Sequence, residues 1–382
     1  MRIGSRLANA AVSDIRAMTR ACDAVGGINL GQGVCDLPTP APVALAAHAA
    51  IDAGKAVYAP PEGVPALREA IARRVDRDYG LAVDPGSEVV VTLGATGGFA
   101  AACLALLDPG DEVILFEPYY GYHYNTVVGL GMRPVLVPLR PPTWEVDFDA
   151  LASAVTERTR AIVVCTPGNP HGKVWTPAEL DALGALAHAR DLVVITDEIY
   201  EHIVYEGAKH VPLASRPGMR DRAITLSGCS KTFSVTGWRV GYAIAPPEAA
   251  RRIAVAHDLL YVCAPTPLQH ACAEGLAMPD AYFRGLGASY QKKRDILCGA
   301  LADAGLTPYV PAGAYYVLAD ARRFERKTAR EAAFVLLDRA KIASVSGASF
   351  YRDPVGETLL RFCFAKDDDV LEEAARRLRA MG

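Results

Sequence analysis

The chain has 382 residues, more than one hydrophobic core normally serves, so a large domain with a second lobe is expected. Hydrophobic residues make up 51% and charged residues 22%, ordinary globular usage that excludes a disordered or collagen-like chain. With 40 basic and 43 acidic residues the formal net charge is -3, which gives no electrostatic reason to expect nucleic acid or an anionic membrane as partner, so any anion site must be local.

The first stretch, MRIGSRLANAAVSDIRAM, has charge but no continuous apolar run, and nothing in the chain reaches the roughly 20 apolar residues of a membrane span. MTRACDAVGGINLGQGVCDLPTP reads as a helix followed by a Gly- and Pro-rich extended passage, and VPALREAIARRV as an amphipathic helix. From about residue 86 to 230, the runs EVVVTL, DEVILFE, RPVLVPL, TRAIVVC, DLVVITDE and RAITLSG alternate with helical patterns. Runs apolar on both faces and separated by helices indicate an α/β fold with a mostly parallel sheet covered on each side. Beyond about 275, AYFRGLGASYQKKRDILCGALADAG is helical, AYYVLADARRF, KIASVSGASF and TLLRFCFA read as strands, and DDVLEEAARRLRAM closes as a helix. These predict a smaller α+β domain. The expected division is an N-terminal segment, 1–35, joining the small domain, a large domain, 36–275, and the small C-terminal domain, 276–382. Nine cysteines (Cys22, Cys35, Cys103, Cys165, Cys229, Cys263, Cys272, Cys298, Cys363) form no C-x-x-C pair and no cluster with histidine, which argues against zinc or a disulfide framework and for a reducing cytoplasm.

In a parallel sheet covered by helices, ligands bind beyond the carboxyl ends of the strands, so the residues that follow strands matter most. In VTLGATGGFAAACLALL a strand ends at Leu93, a Gly-rich turn follows and a helix begins near Thr96; its free amides and the Thr96 hydroxyl suit an anion, although glycines there also serve ordinary turns. VVCTPGNPHGKVW places Asn169 after the next candidate strand, in what by itself is turn chemistry. VVITDEIYEHIVYEG delivers Asp197 and Tyr200 at the end of a very apolar run; such an acid either faces a cation or strong donor, or caps a helix that follows. AITLSG ends just before Ser230, Lys231 and Thr232, with Arg239 in GWRVGY. A lone lysine is ordinarily a solvated surface charge. Successive strand ends that supply Asn, Asp with Tyr, and Lys with Arg converge on one sheet edge. Together they are the parts of pyridoxal phosphate (PLP) catalysis: a Schiff-base lysine, a carboxylate for the pyridinium nitrogen, a phosphate cradle and donors to the phenolate oxygen.

With these motifs the sequence resembles the class I/II aminotransferases of PLP fold type I, over essentially the whole chain and in the right order. It is most similar to the subgroup with a GQG near the N-terminus, which includes kynurenine/glutamine aminotransferase-like and bacterial aspartate aminotransferase-like enzymes. The resemblance implies a large domain with a seven-stranded, mostly parallel sheet between helices, and a ping-pong exchange of the α-amino group between an L-amino acid and a 2-oxo acid. It implies that Lys231 in SKTFSVTGWRVGY carries PLP and shuttles the proton, and that Asp197 in TDEIY keeps the ring nitrogen protonated. Tyr200 and Asn169 would bond the phenolate oxygen, and Tyr120 of FEPYYGYHY, with Tyr119 the lesser candidate, would stack on the ring. The phosphate would be held at Ala95 and Thr96, by Arg239 and by Tyr58 of YAPPEGVPALREA, which in the family reaches across from the partner of a homodimer. Arg361 in GETLLRFCFA would grip the α-carboxylate, with Gly33 of LGQGVCDLPTP adding a backbone donor; without the family Arg361 reads as a strand-edge surface charge.

The sequence departs from the family pattern in places. NPTG reads NPHG, so that His171, whose ordinary pKa is about 6.5, would titrate near neutrality unless it is a bystander. Gly228 stands where some relatives have a serine touching the phosphate, with Ser227 and Ser230 nearby. Cys35 replaces a proline and is read as a small packed residue. Ala105 falls roughly where some aspartate-specific relatives have a basic residue, which leans toward neutral or aromatic donors. Among other function classes, LGQGVCDLPTP and TLGATGG lack the glycine spacing of a nicotinamide site, and GNPHGKV lacks the spacing of a P-loop. A non-catalytic PLP-binding regulator would need a basic DNA-binding module that is missing here, and a C–S lyase acting by β-elimination is the runner-up on the same scaffold.

Overall fold

The computed structural model describes residues 14–381, so that residues 1–13 of the N-terminal segment lie outside the described residues. Seven strands form the central sheet: Val89–Leu93 (β1), Glu112–Glu117 (β2), Arg133–Pro138 (β3), Thr159–Cys165 (β4), Val193–Asp197 (β5), Ala223–Gly228 (β6) and Val240–Ile244 (β7). Their order is β1-β7-β6-β5-β4-β2-β3; β7 is antiparallel to both neighbours, and the remaining pairs are parallel. Six of these strands are the six apolar runs read from the sequence. β7, VGYAI, escapes that reading because it is short and interrupted by glycine, which weakens a strand signal. Gly241 has a steric reason to be there: a Cβ at this position would sit 2.5 Å from the Gly94 carbonyl carbon and 2.6 Å from the Ala95 nitrogen.

The two-residue period of each strand distributes side chains to two cores. Ile114, Phe116, Ile162, Val164 and Val194 meet Trp175 and, from the helix Pro177–Ala189, Leu180 and Leu183. Val113, Leu115, Ala161, Val163, Ile195 and Leu226 meet Phe99 and Ile253, from the helices Gly94–Leu106 and Pro247–Tyr261. That double burial is why the runs read as continuously apolar. Strand register then aligns the carboxyl ends: Leu93 lies opposite Val240, Gly241 opposite Gly228, and Asp197 opposite both Leu226 and Cys165.

A second, antiparallel sheet contains Thr307–Tyr309 (β8), Tyr316–Asp320 (β9), Val345–Ser346 (β10) and Leu359–Cys363 (β11), in the order β10-β11-β9-β8. It shares a core with Leu297 and Leu301 of the 24-residue helix Asp280–Asp303, Leu336 of Ala329–Ala340, and Leu371 and Leu378 of Asp368–Arg379. Ile28 and Asn29 pair in parallel with Ile342 and Ala343, and Cys363 donates its amide to the Leu30 carbonyl at 2.6 Å, so the GQG passage runs beside β11. Arg361 therefore sits on an inner strand, opposite Leu318 and Val345, and is 2% exposed. This corrects its reading as a strand-edge surface charge: β11 lies between β10 and β9, so neither of its edges is free.

Behind the site a buried polar network joins the layers. Glu201 accepts hydroxyl hydrogen bonds from Ser227 (2.6 Å), Tyr79 (2.8 Å) and Tyr242 (3.0 Å), and Glu198 meets His210 at 2.8 Å. Burial works against the His210 imidazolium, but the charge and hydrogen bond of Glu198, with Glu201 adding, raise its pKa above the ordinary value. The pair's stabilisation is therefore complete below the unfolded-state pKa of about 6.5 and is lost as pH rises through the raised folded value. His210→Leu leaves Glu198 buried without its cation and is expected to destabilise the protein by about 3–5 kcal/mol, read from denaturant unfolding at pH 6. The deficit should shrink toward alkaline pH.

Candidate active site

Lys231 lies in the short helix Cys229–Thr232 that follows β6 directly. Its Nζ is 5.5 Å from the Tyr315 ring centroid and 5.9 Å from that of Tyr200. Burial lowers its pKa to about 8; Arg239 pushes the same way, and the thiols Cys363 and Cys35 and the Asp197 carboxylate oppose it. Such an amine is half unprotonated near pH 8, where an ordinary lysine is almost wholly charged.

Asp197 ends β5, buried at 5% exposure, with Oδ2 3.1 Å from His123 Nε2 and Oδ1 accepting from the Ile199 amide at 3.3 Å. Turns and no helix follow it, so the helix-cap reading does not hold. His123, missed in the sequence, stands three residues after Tyr120 on the helix Gly121–Gly129, and its ring lies 4.4 Å from Phe99 and 5.1 Å from Tyr120. A histidine at i+3 from a candidate stacking ring was the available signal, because such positions share a helix face. Tyr120 hydrogen-bonds the Thr96 side chain, whereas Tyr119 turns away to stack on Tyr124 at 4.9 Å.

The helix Gly94–Leu106 starts at the strand end itself, two residues before the expected Thr96. Gly94 has φ +66°, and a Cβ there would lie 2.5 Å from Arg239 Nη2, so glycine lets the guanidinium lean over the first turn. Arg239 in turn has φ 57°, a left-handed conformation that non-glycine residues seldom keep without cause. The first turn of this helix, with Ala95 and Thr96, is thereby brought together with Arg239.

On the facing side, Arg361 donates from Nη1 to Asn169 Oδ1 (3.0 Å) and from Nη2 to the Gly31 carbonyl (2.8 Å), while its Nε is buried without a partner. Its guanidinium lies 4.3 Å from the Tyr316 ring and 4.6 Å from that of Phe350. Tyr200 donates to the Tyr316 hydroxyl at 3.3 Å, and burial holds the Tyr200 phenol well above its ordinary pKa. Gly33 lies against this pair and accepts from the Tyr315 hydroxyl at 3.3 Å. Tyr58 stands apart from the group, 82% exposed.

His171 is 3% exposed, its Nδ1 accepts the Lys173 amide at 3.0 Å, and burial with the Lys173 charge lowers its pKa to about 3, so it does not titrate near neutrality. Cys35 is packed as expected, 3.1 Å from Tyr290 Oη and 3.2 Å from Ser234 Oγ. Ser227 points at Glu201, away from the cradle. Ala105, near the far end of its helix, packs against the core of the central sheet.

The description of the matching family is aminotransferase class I and II, over residues 25–378. The chain belongs to the class I and II aminotransferases. It is 38% identical to the probable N-succinyldiaminopimelate aminotransferase of Mycobacterium tuberculosis over 99% of this chain and 98% of that one, and the solved structure of that enzyme superposes with a TM-score of 0.96 over 100% of both chains. The methionine aminotransferase of Escherichia coli is 37% identical over 93% and 92% of the two chains, and human kynurenine–oxoglutarate transaminase 1 is 33% identical over 92% of each. This aminotransferase therefore has the expected fold type I architecture and moves an amino group from an amino acid to an oxo acid with a PLP-dependent chemistry. The names of these relatives do not favour the C–S lyase alternative.

Proposed function

We propose that this aminotransferase holds pyridoxal 5'-phosphate at the carboxyl edge of the central sheet and runs a ping-pong cycle in which Lys231 is both the Schiff-base residue and the proton carrier. The observation that carries this reading is the half-buried Lys231 amine, its pKa lowered to about 8 chiefly by desolvation, near the Tyr200 and Tyr315 rings and under the influence of Asp197. The remaining residues fit a flat, anionic pyridine. Bound PLP supplies an electron sink for the pair left on the substrate α-carbon.

Asp197, fixed by His123, is positioned to keep a proton on the ring nitrogen, and the neutral Tyr200 phenol with Asn169 to hydrogen-bond the phenolate oxygen. Tyr120, tethered to Thr96, offers the stacking face, and Ala95, Thr96 and Arg239 the phosphate cradle. Arg361, tied to Asn169, would take the α-carboxylate in a two-pronged pair, where its unpartnered Nε supplies a further donor and Gly33, against Tyr316, would add its backbone amide. With its amine free, Lys231 would carry the proton at the substrate α-carbon.

Tyr58 would complete the phosphate site of a second copy. Its exposure accompanies that of Val57, Leu45 and Leu259, at 69%, 66% and 78%, an apolar set suited to a homodimer with shared sites. Of the expected N-terminal segment, 1–35, the described residues 14–35 would belong with the small domain, 276–381 as described, around the large domain, 36–275. Nine free thiols favour a cytoplasmic setting, and among the described residues no helix is long and apolar enough to cross a membrane.

The pH dependence of cofactor capture tests the reading. The unprotonated amine is the nucleophile, so the rate at which cofactor-free enzyme gains visible absorbance with PLP should rise with pH and level off with a midpoint near 8. A midpoint near 10.4, that of an ordinary lysine, would remove Lys231 from this role.

A further inference from the structure

Tyr316 is used by none of the roles above, yet three of the proposed ones meet on it. On the antiparallel pair β9–β11, Tyr316 lies opposite Cys363 and Leu318 opposite Arg361, so Tyr316 and Arg361 are diagonal neighbours on one face of the sheet, within reach for long side chains. The Arg361 guanidinium lies 4.3 Å over the Tyr316 ring, inside cation–π range. The Tyr316 hydroxyl is 3.3 Å from that of Tyr200. It also projects against Gly33 so closely that a Cβ on Gly33 would stand 1.9 Å from it, so glycine at 33 clears the space the hydroxyl fills. Tyr316 is itself 3% exposed and neutral, its pKa pushed up to about 12 by burial against the lowering effect of Arg361.

We propose that Tyr316 is a positioning residue with two separable functions: its ring is the shelf that holds Arg361 for the substrate carboxylate, and its hydroxyl tunes Tyr200 as a donor to the cofactor's phenolate oxygen. The inference rests on the PLP reading of this site. Without a ligand Tyr200 donates its hydrogen bond to Tyr316, and the 3.3 Å separation is long for two hydroxyls, as catalytic hydrogen bonds commonly are before a ligand binds. Once Tyr200 turns its proton to a phenolate oxygen, the Tyr316 proton is the one left for the pair. Donation into the Tyr200 oxygen makes its O–H a stronger donor, because hydrogen bonds in a chain polarise one another. A stronger donor favours the phenolate and lowers the pH at which the lysine-bound cofactor loses its proton.

Tyr316→Phe keeps the ring and deletes the hydroxyl; Tyr316→Leu deletes both. Each is loaded with PLP and titrated by its visible absorbance, and KM is measured for two amino donors of different side chain. Both variants are expected to raise the absorbance midpoint by about half to one pH unit. Tyr316→Leu alone is expected to raise KM for both donors by about tenfold, and Tyr316→Phe to leave it within about twofold. An unshifted midpoint in Tyr316→Phe overturns the tuning function, and an unchanged KM in Tyr316→Leu overturns the shelf. A wild-type enzyme with no visible band would overturn the cofactor reading as well, whereas a normal wild-type band with unshifted variants overturns this inference alone.

Discussion

Lys231→Ala is expected to lower turnover by about 10⁴-fold or more and to abolish the visible absorbance that PLP gives the wild-type enzyme. Both losses follow from one missing amine. The lysine follows β6 immediately, and β6 is locked by the close approach of Gly228 to Gly241, where a Cβ would meet the Gly241 Cα at 2.7 Å. Lys173, in the loop that follows β4, is held by Glu179 at 2.6 Å and so is not free to take its place. Truncation relieves a partly desolvated cation and should not weaken the fold, because desolvation is the largest influence on its pKa. A variant that keeps its melting temperature but loses both turnover and absorbance separates this outcome from misfolding. Retained turnover would refute the assignment.

Arg361→Ala is expected to raise KM for every amino donor by about 30- to 4,000-fold, the range that corresponds to the loss of about 2–5 kcal/mol when one partner of a buried, hydrogen-bonded charge pair is removed. The arginine is held between the Tyr316 and Phe350 rings and tied to Asn169 and the Gly31 carbonyl, so its direction is fixed before any carboxylate arrives. Preorganisation of this kind leaves little rotamer entropy to lose on binding. Arg361→Lys restores the charge without the planar two-pronged geometry and should recover only part of the loss. Steady-state kinetics with several donors measures both, and a KM within about twofold of wild type in Arg361→Ala would remove the carboxylate role.

The carboxyl edge of the sheet was legible because its signals are local. Apolar runs doubly buried by flanking helices identify Leu93, Asp197 and Gly228 as strand ends, and the register of β1, β7, β6 and β5 aligns them. The facing wall was legible only through family resemblance. Arg361 meets Asn169 across 192 positions and Gly31 across 330, and no periodicity within one segment encodes a contact of that span. His171 failed as a candidate titrating group for a related reason. Its ordinary pKa is a property of the residue, but its burial over Gly168 and beside Lys173 is a property of the fold. His123 and Tyr316 were missed because each acts through another side chain, Asp197 in one case and Tyr200 with Arg361 in the other.

The most direct test of the central claim is chemical. Purified protein incubated with PLP, reduced with borohydride and digested should give a single phosphopyridoxyl peptide, and fragmentation should place the label on Lys231. Label on another lysine, or none after reduction, would contradict the assignment of this site.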